Sequence, residues 1–306
     1  MMNGTTIGPM LVRSGWEDDS GLQSFLANQL RRGRLRLVLG AGASMGFGLP
    51  NWDTLISRAF VHARAKFPSG RDARAAADNL FVEVCGRSFP LFNNHVRAAL
   101  YETYDSSLQA MRASDLLSAI GVILMLSRKC GRAEVISYNY DDVVETYLQY
   151  HAYDISAQDS VPEWSSGSDG VVYHPHGYLP MRDTKSPSER IVLAPIHYDE
   201  FTTNEISSRW DPILLNIMRS NTCLFIGLSG DCPNLRRLLQ AAAVSHAGLK
   251  NNHCYWGVRF TKSDALDDER EIWEHRNVYQ RTVEEWSEVP EFLFQICQTA
   301  RNQIHG

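Results

Sequence analysis

The segment Gly40–Ser44 has residue types that suit the binding of a phosphate group. It follows the apolar run Leu35–Leu39, and a helix-compatible stretch from Trp52 to Ala65 comes after it. Glycines behind a buried strand let backbone N–H groups approach a pyrophosphate at the start of a helix. A tight turn without a ligand explains such glycines equally well. The spacing Gly40-x-Gly42-x-x-x-Gly46, with no ribose-binding acid about 20 residues later, disfavours an ordinary dehydrogenase.

Three polar side chains further along the chain could also do chemistry. Asn139 can donate or accept hydrogen bonds without adding charge, and His176 can accept a proton near neutral pH. Structural roles remain open, because Asn139 could be the left-handed or Asx residue of a turn and Asp141 the N-cap of the next helix. His174 and His176 are two residues apart with no further ligand at suitable spacing, so we expect no metal site.

Alternating helices and short strands are predicted to position these residues. Strands are predicted at 35–39, 134–137, 171–173, 191–193, 222–226 and 253–258, the third and fourth joined by a charged hairpin. Helices are predicted at 20–30, 52–65, 115–129, 207–219 and 233–246, with a closing helix around Phe292–Ile296. This order predicts an α/β, Rossmann-like fold, with a mostly parallel sheet and helices on both faces. We predict a flexible lead-in at 1–20 and a single domain at 21–306, with a helical insertion at about 60–114.

Composition excludes several classes of protein. The 306 residues are 44% hydrophobic and 21% charged, as in an ordinary globular chain, and 30 Lys+Arg against 35 Asp+Glu argue against strong nucleic-acid binding. No apolar stretch approaches the roughly 20 residues of a membrane helix. The six cysteines are scattered without Cys-x-x-Cys spacing, which disfavours a zinc ribbon. We therefore expect a soluble cytoplasmic protein with reduced thiols.

Four motifs in order resemble those of the sirtuin (silent information regulator 2) family. The string Gly-Ala-Gly-Ala-Ser-Met-Gly-Phe-Gly-Leu-Pro-Asn-Trp at 40–52 resembles the first nucleotide-binding motif of that family. Ser-Tyr-Asn-Tyr-Asp at 137–141 resembles its Thr-Gln-Asn-Ile-Asp segment, and His176-Gly177 resembles its His-Gly dipeptide. Gly-Leu-Ser at 227–229 resembles the turn that holds the adenosine half of the dinucleotide.

The resemblance implies a site for nicotinamide adenine dinucleotide (NAD), whose nicotinamide–ribose bond would lie against Asn139 and His176. These two residues are the implied catalytic pair, because cleavage passes through an oxocarbenium-like ribosyl centre and releases one proton. Asp141 would orient the turn or the ligand, and Trp52 would stack on the ligand or anchor its helix, the role we favour. The implied NAD-binding residues are Gly40, Ala41, Gly42, Ala43, Ser44, Pro50, Trp52, Asn139, Asp141, Gly227 and Ser229.

Departures from the sirtuin deacylases indicate a different reaction. Those enzymes have a four-cysteine zinc ribbon, which this chain lacks, and an Asp-Phe-Arg segment where this chain has Asn51-Trp52-Asp53. Without a channel for an acylated peptide, water is the available nucleophile, so hydrolysis of NAD⁺ to ADP-ribose and nicotinamide is the leading hypothesis. Protein deacylation, ADP-ribosyl transfer and a non-catalytic scaffold that senses NAD or ADP-ribose are the alternatives.

A biological role is also implied by resemblance. The helical region at about 60–114 is similar to that of sirtuin-like NADase domains in bacterial anti-phage defence, which deplete NAD in infected cells. Only about eighty residues follow Gly227, so we expect no sensor domain. Control would then come from a homo-oligomer or from a partner, as in the short subunits that pair with a HerA-type ATPase.

Overall fold

The structure is a computed structural model that describes residues 11–12, 19–128, 131, 133–160, 167–181, 187–203, 205–247, 254–265 and 267–302. The strands are β1 Leu11–Val12, β2 Leu35–Leu39, β3 Ala133–Ser137, β4 Ile155–Gln158, β5 Gly170–Tyr173, β6 Thr222–Ile226, β7 Cys254–Tyr255, β8 Gly257–Lys262 and β9 Val278–Val283. The helices are α1 Asp19–Arg31, α2 Trp52–His62, α3 Ala73–Asn79, α4 Phe89–Leu100, α5 Leu108–Arg112, α6 Asp115–Arg128, α7 Val143–Tyr150, α8 Pro195–Thr203, α9 Glu205–Ser220, α10 Pro233–Ala247, α11 Asp267–Glu274 and α12 Glu288–Asn302. Two 3₁₀ turns, Ala41–Ala43 and Met45–Phe47, follow β2, and a π-helical turn, Leu80–Val84, follows α3.

A seven-stranded sheet forms the centre of the fold, in the order β4-β5-β3-β2-β6-β8-β9. Every pair in this sheet is parallel, so the predicted Rossmann-like α/β fold with a mostly parallel sheet is confirmed. Leu39 at the end of β2 pairs with Ser137 of β3 on one side and Ile226 of β6 on the other. The turns that follow these three strands therefore meet at one edge, where open parallel sheets bind their ligands.

Apolar side chains of the sheet point alternately into two cores. Leu37 belongs to a cluster with residues of α1, α6 and α12, whereas Val38 belongs to a second cluster with residues of α9 and α10. This alternation follows from the two-residue period of a strand, and it requires helices on both faces. The sheet is therefore covered on both sides, as the sequence predicts.

The region between β2 and β3 is helical and lies beside the same sheet edge. It contains α2 to α6, and the described residues from 67 to 114 contain no strand. Asn51 caps α2 by accepting a hydrogen bond from the N–H of Thr54 at 2.9 Å. α2 ends at His62, three residues before the predicted end.

Some local predictions are wrong. Ile191–Leu193 is not a strand: the segment is buried but irregular, and the N–H of Val192 donates to the carbonyl of His176 at 2.8 Å. No hairpin is described between β5 and this segment, although residues 182–186 lie outside the described part. Apolar burial alone does not separate a strand from a buried connection. β4 and α8 were not predicted, and Trp256 separates β7 from β8 where the sequence suggests one strand.

Near the chain start, Leu11 of β1 pairs with Tyr255 of β7 in an antiparallel ribbon. The rest of the predicted lead-in before Asp19, residues 1–10 and 13–18, lies outside the described residues. Across the described part of the chain, no helix combines the length and apolar character that crossing a bilayer requires.

Candidate functional site

A cavity of about 650 Å³ opens where β2, β3 and β6 end. Its volume falls within the usual range of small-molecule sites. It brings together ten of the twelve residues predicted for the site, which are Gly40, Ala41, Ser44, Pro50, Trp52, Asn139, Asp141, His176, Gly227 and Ser229. Gly42 and Ala43 are the two that do not line it, and Ala43 is buried behind the wall.

The two glycine turns interlock behind the cavity wall. The N–H of Gly42 donates to the carbonyl of Gly227 at 3.1 Å, and the N–H of Gly40 donates to the carbonyl of Ile226 at 3.0 Å. A Cβ atom on Gly42 would lie 2.7 Å from the Cα of Gly227, which is closer than such contacts occur. Gly42 therefore serves the approach of one turn to the other rather than direct contact with a ligand.

Asn139 is held by hydrogen bonds on its side chain and its backbone. Its Nδ2 donates to the carbonyl of Gly40 at 3.0 Å and to the Oγ of Ser44 at 3.0 Å. The carbonyl of Gly40 can only accept, which fixes the orientation of the amide. Both side-chain donors are thus used within the protein, and Oδ1 is the amide atom left for a ligand. Asn139 does not have a positive φ, so the left-handed turn role is wrong.

Asp141 lies next to this network and is 5% exposed. Its Oδ1 accepts a hydrogen bond from the N–H of Val143 at 3.2 Å, and Ser44 also hydrogen-bonds to its carboxylate. Burial raises the pKa of Asp141 to about 6. Asp142 occupies the N-cap position of α7 but makes no side-chain cap hydrogen bond. The carboxylate of Asp141, one residue earlier, accepts from the first N–H of the helix, so the capping role considered for Asp141 is met in part.

The raised pKa of Asp141 predicts a pH-dependent stability. The folded state holds the Asp141 proton more tightly than the unfolded state, so stability is lost as pH rises from about 4 to 6. A difference of about two pKa units corresponds to roughly 3 kcal/mol. Asp141→Asn lacks this loss. We therefore expect the free energy of unfolding of Asp141→Asn minus that of wild type to increase by roughly 3 kcal/mol from pH 4 to pH 7.

Urea unfolding of both proteins at several pH values measures this difference, and titrating groups that do not interact with Asp141 cancel in the comparison. The amide oxygen of the introduced Asn can still accept the hydrogen bond from the N–H of Val143. A difference in free energy of unfolding between the two proteins that is the same at every pH contradicts the prediction.

His176 lies in an apolar and aromatic environment at the cavity wall. Its ring is 4.9 Å from that of Tyr138 and 5.4 Å from that of Tyr198, both edge to face. Burial lowers its pKa to about 3, so the imidazole is neutral at physiological pH. Its Nε2 lies 3.4 Å from the Nδ2 of Asn234 and 3.6 Å from the Sγ of Cys232.

Cys232 and Asn234 are therefore site residues that the sequence does not single out. They lie at the start of α10, directly after the predicted Gly227–Ser229 turn. In the sequence, this position is what could have marked Cys232 and Asn234 as site residues. Because the amide nitrogen of Asn234 is a donor, it favours a lone pair on His176 Nε2 and thereby influences the imidazole tautomer.

The wall of the cavity is acidic. Its carboxylates come from Asp53, Asp72, Asp141, Asp199 and Asp231. Among the described lining residues, Arg74 is the one with a side chain that stays positively charged. Such a wall favours positive charge on a bound group, although surface carboxylates are screened by salt.

Trp52 contributes to both the cavity and the core. It is the first residue of α2, it lines the cavity, and its partly buried ring packs against the core cluster that contains Leu37. The two roles considered for Trp52 are therefore compatible in this position.

The described residues contain no group of three or more His, Cys, Asp and Glu side chains that could hold a metal ion. His174 and His176 do not share a site. His174 is fully buried and contacts Glu145, whereas His176 lines the cavity.

Comparisons with known proteins point to one family for the central part of the chain. Residues 133–279 match a family described as "SIR2-like domain". Two solved structures align at 12% identity, "Structural Basis for the Mechanism and Regulation of Sir2 Enzymes" with a TM-score of 0.48 and "Crystal structure of a Sir2 homolog–NAD complex" with 0.44. The first alignment covers 93% of this chain and 98% of the other, and the second covers 97% and 98%. No curated protein matches the chain.

The matched segment begins at the first residue of β3 and ends within β9. The glycine turn after β2 precedes it, whereas the turn after β6 lies inside it. The part of the chain that supplies Asn139, Asp141 and His176 is thus similar to SIR2-like domains.

Proposed function

We propose that the protein hydrolyses NAD⁺ at the nicotinamide–ribose bond to give ADP-ribose and nicotinamide. The observation that carries this proposal is the convergence of Asn139, Asp141 and His176 on one cavity beside two glycine turns. The SIR2-like match supports it, because this family consists of NAD-dependent enzymes. NAD is thus the substrate, and no metal is assigned a role.

The charges of the cavity suit the reaction. The oxygen of water forms a bond to the ribose C1′, the C1′–N bond breaks, and its electron pair goes to nicotinamide. The ribosyl centre becomes positive as that bond breaks, and preorganised negative groups stabilise such a centre. The carboxylate of Asp141 is buried close to Asn139 and ionises above pH about 6. The neutral imidazole of His176 adds no opposing positive charge.

Asn139 and His176 have separate roles in this proposal. The Oδ1 of Asn139 accepts a hydrogen bond from the attacking water or from a ribose hydroxyl, since its Nδ2 is already engaged. Burial makes His176 a weaker base than the sequence predicts, with a pKa of about 3. In this proposal it accepts the proton of the water after the water oxygen has bonded to C1′, because that oxygen is then far more acidic than free water. The Gly40–Ser44 and Gly227–Ser229 turns bind the rest of the dinucleotide, with Pro50 and Trp52 on the neighbouring wall.

A direct assay tests this function. Wild-type protein is incubated with NAD⁺, and nicotinamide and ADP-ribose are quantified with and without an acylated peptide and an unmodified peptide. Equal release of both products without peptide supports hydrolysis. Turnover that requires the acylated peptide identifies a deacylase, and transfer of ADP-ribose to a peptide identifies a transferase. NAD binding without turnover identifies a scaffold.

His176→Ala tests the role of the histidine. General base catalysis contributes about 10²- to 10⁴-fold, and we expect kcat for NAD⁺ hydrolysis to fall by about 10²-fold. His62→Ala is the control, because His62 is a partly exposed residue of α2 that does not line the cavity. Undiminished turnover in His176→Ala contradicts the assigned role.

The proposed biological role is depletion of cytoplasmic NAD during anti-phage defence. Its support is the resemblance of the sequence motifs and of the helical region. Activity would be controlled by a homo-oligomer or by a HerA-type ATPase. An NAD-cleavage assay over a protein concentration series, with and without the products of neighbouring genes, tests this. Full specific activity at every concentration, unaffected by those products, contradicts it.

A further inference from the structure

Two buried ionisable groups lie directly behind Asn139 and do not line the cavity. His174 follows β5 and is 0% exposed, and Glu145 lies on α7 and is 3% exposed. The Nδ1 of His174 is 2.9 Å from the backbone oxygen of Asn139, and its Nε2 is 2.6 Å from the Oε1 of Glu145. The imidazole therefore bridges a helix to the turn that presents Asn139.

Both ring nitrogens of His174 face oxygen atoms that accept hydrogen bonds. The carbonyl of Asn139 can only accept, and an ionised carboxylate can also only accept. A neutral imidazole has one N–H, so it cannot donate to both partners. Compared with a neutral imidazole beside an ionised carboxylate, the Glu145–His174 pair therefore holds one additional proton. The pair is either an imidazolium beside a carboxylate or a neutral imidazole beside a carboxylic acid.

The surroundings favour the charged pair. Burial lowers the pKa of His174, but the Glu145 carboxylate and the two hydrogen bonds outweigh burial, and the pKa lies above its ordinary value. Asp141 in the turn before α7 acts in the same direction. Tyr178, whose ring is 4.6 Å from that of His174, also packs against it.

We propose that the Glu145–His174 pair is a proton-holding clamp that positions Asn139 for catalysis. The clamp fixes the backbone oxygen of Asn139, while Gly40 and Ser44 fix its Nδ2. Together these contacts leave the amide oxygen at one place in the cavity wall. His174 and Glu145 are positioning residues, and the inference rests on the proposed NAD hydrolysis.

The clamp predicts a response to pH. When the additional proton leaves, one ring nitrogen presents a lone pair either to the Asn139 carbonyl or to the Glu145 carboxylate. The contact becomes repulsive, Asn139 shifts, and kcat falls at alkaline pH. Above the raised pKa of His174 we therefore expect an alkaline limb in the pH profile of kcat.

Glu145→Gln keeps the hydrogen bonds that hold His174 in place and removes the negative charge of Glu145. The amide nitrogen of Gln can donate to His174 Nε2, and Nδ1–H then donates to Asn139, so a neutral pair makes both contacts without an additional proton. We expect this variant to keep kcat within about 3-fold of wild type and to lose the alkaline limb. His174→Ala removes the contact to Asn139, and we expect kcat to fall at least about 10-fold while KM changes less than about 3-fold.

The experiment measures kcat and KM over a pH series for wild type, Glu145→Gln and His174→Ala. His197→Ala controls for the loss of a buried imidazole, because His197 packs among Phe81, Phe89 and Phe92. If His174→Ala leaves Glu145 as an unpaired buried charge and does not fold, the double variant Glu145→Ala/His174→Ala removes that charge and has the same expected kcat.

A structural readout separates failure of this inference from failure of the proposed function. ¹⁵N spectra of the Asn139 side-chain amide are compared among the same proteins. We expect its signals to shift in His174→Ala and to stay in place in Glu145→Gln. If wild type does not hydrolyse NAD⁺, the proposed function is wrong, and the spectra alone decide whether the clamp positions Asn139. Unchanged kcat or unchanged Asn139 signals in His174→Ala overturn the inference.

Discussion

Asn139→Ala should reduce kcat for NAD⁺ hydrolysis by on the order of 10³-fold, which corresponds to about 4 kcal/mol of transition-state stabilisation. The alanine lacks the amide oxygen that orients the water or ribose hydroxyl. It also removes the Asn139 donor from the Oγ of Ser44 and from the carbonyl of Gly40, which keeps the N–H of Ala43 at 2.9 Å. Single-turnover measurement of nicotinamide release gives the effect on the chemical step.

Asn93→Ala is the matched control for Asn139→Ala. Asn93 is also a buried asparagine, and its Nδ2 donates to the carbonyls of Ser188 and Glu189 at 2.9 and 3.1 Å. It does not line the cavity, so its loss should reduce stability and leave kcat within about 3-fold. Equal losses of kcat in the two variants would mean that Asn139 acts only through the fold.

Gly227→Ala should have the largest effect on stability. Gly227 has a φ of +72°, a conformation that L side chains rarely adopt, and an added Cβ would lie 2.7 Å from the Cα of Gly42. The obstacle is backbone on a neighbouring turn, which cannot rotate away. We expect a loss of about 3–5 kcal/mol in the free energy of unfolding, the range of severe single substitutions.

Gly46→Ala provides the comparison for Gly227→Ala. Apart from its own neighbours in the chain, no atom lies within 4 Å of a Cβ built at Gly46, and Gly46 does not have a positive φ. Urea denaturation should place this variant within about 0.5 kcal/mol of wild type. If Gly227→Ala is as stable as Gly46→Ala, the two turns are not as tightly interlocked as the structure indicates.

Much of the fold follows from local sequence patterns. β2, β3 and β6 are mostly apolar runs that are followed by Gly40, Tyr138 and Gly227, and strands covered on both faces have this composition. The segment Ile191–Leu193 has the same apolar character, yet it packs without strand partners in the sheet. β4 has one buried residue, Ile155, because it lies at the sheet edge, so its pattern is too weak to predict it.

The sequence predicts only part of the candidate site, because some of its contacts depend on how distant elements pack against each other. Asn139, Asp141 and His176 lie in motifs, and the sheet topology places such motifs at one edge. His174 and Glu145 are 29 residues apart, and their contact depends on how α7 packs relative to the end of β5. Sequence spacing does not specify that packing. Cys232 and Asn234 likewise contact His176 through the position of α10.

The hydrogen bonding of Asn139 has a consequence for inhibitor chemistry. With both amide protons committed to Gly40 and Ser44, the cavity offers a lone pair at this point and no donor. A carbonyl or carboxylate placed there would face another lone pair, whereas a hydroxyl or a protonated amine could donate to it. Compounds that retain a ribose-like hydroxyl, or replace it by an iminosugar nitrogen, are therefore better starting points than planar amide analogues of nicotinamide.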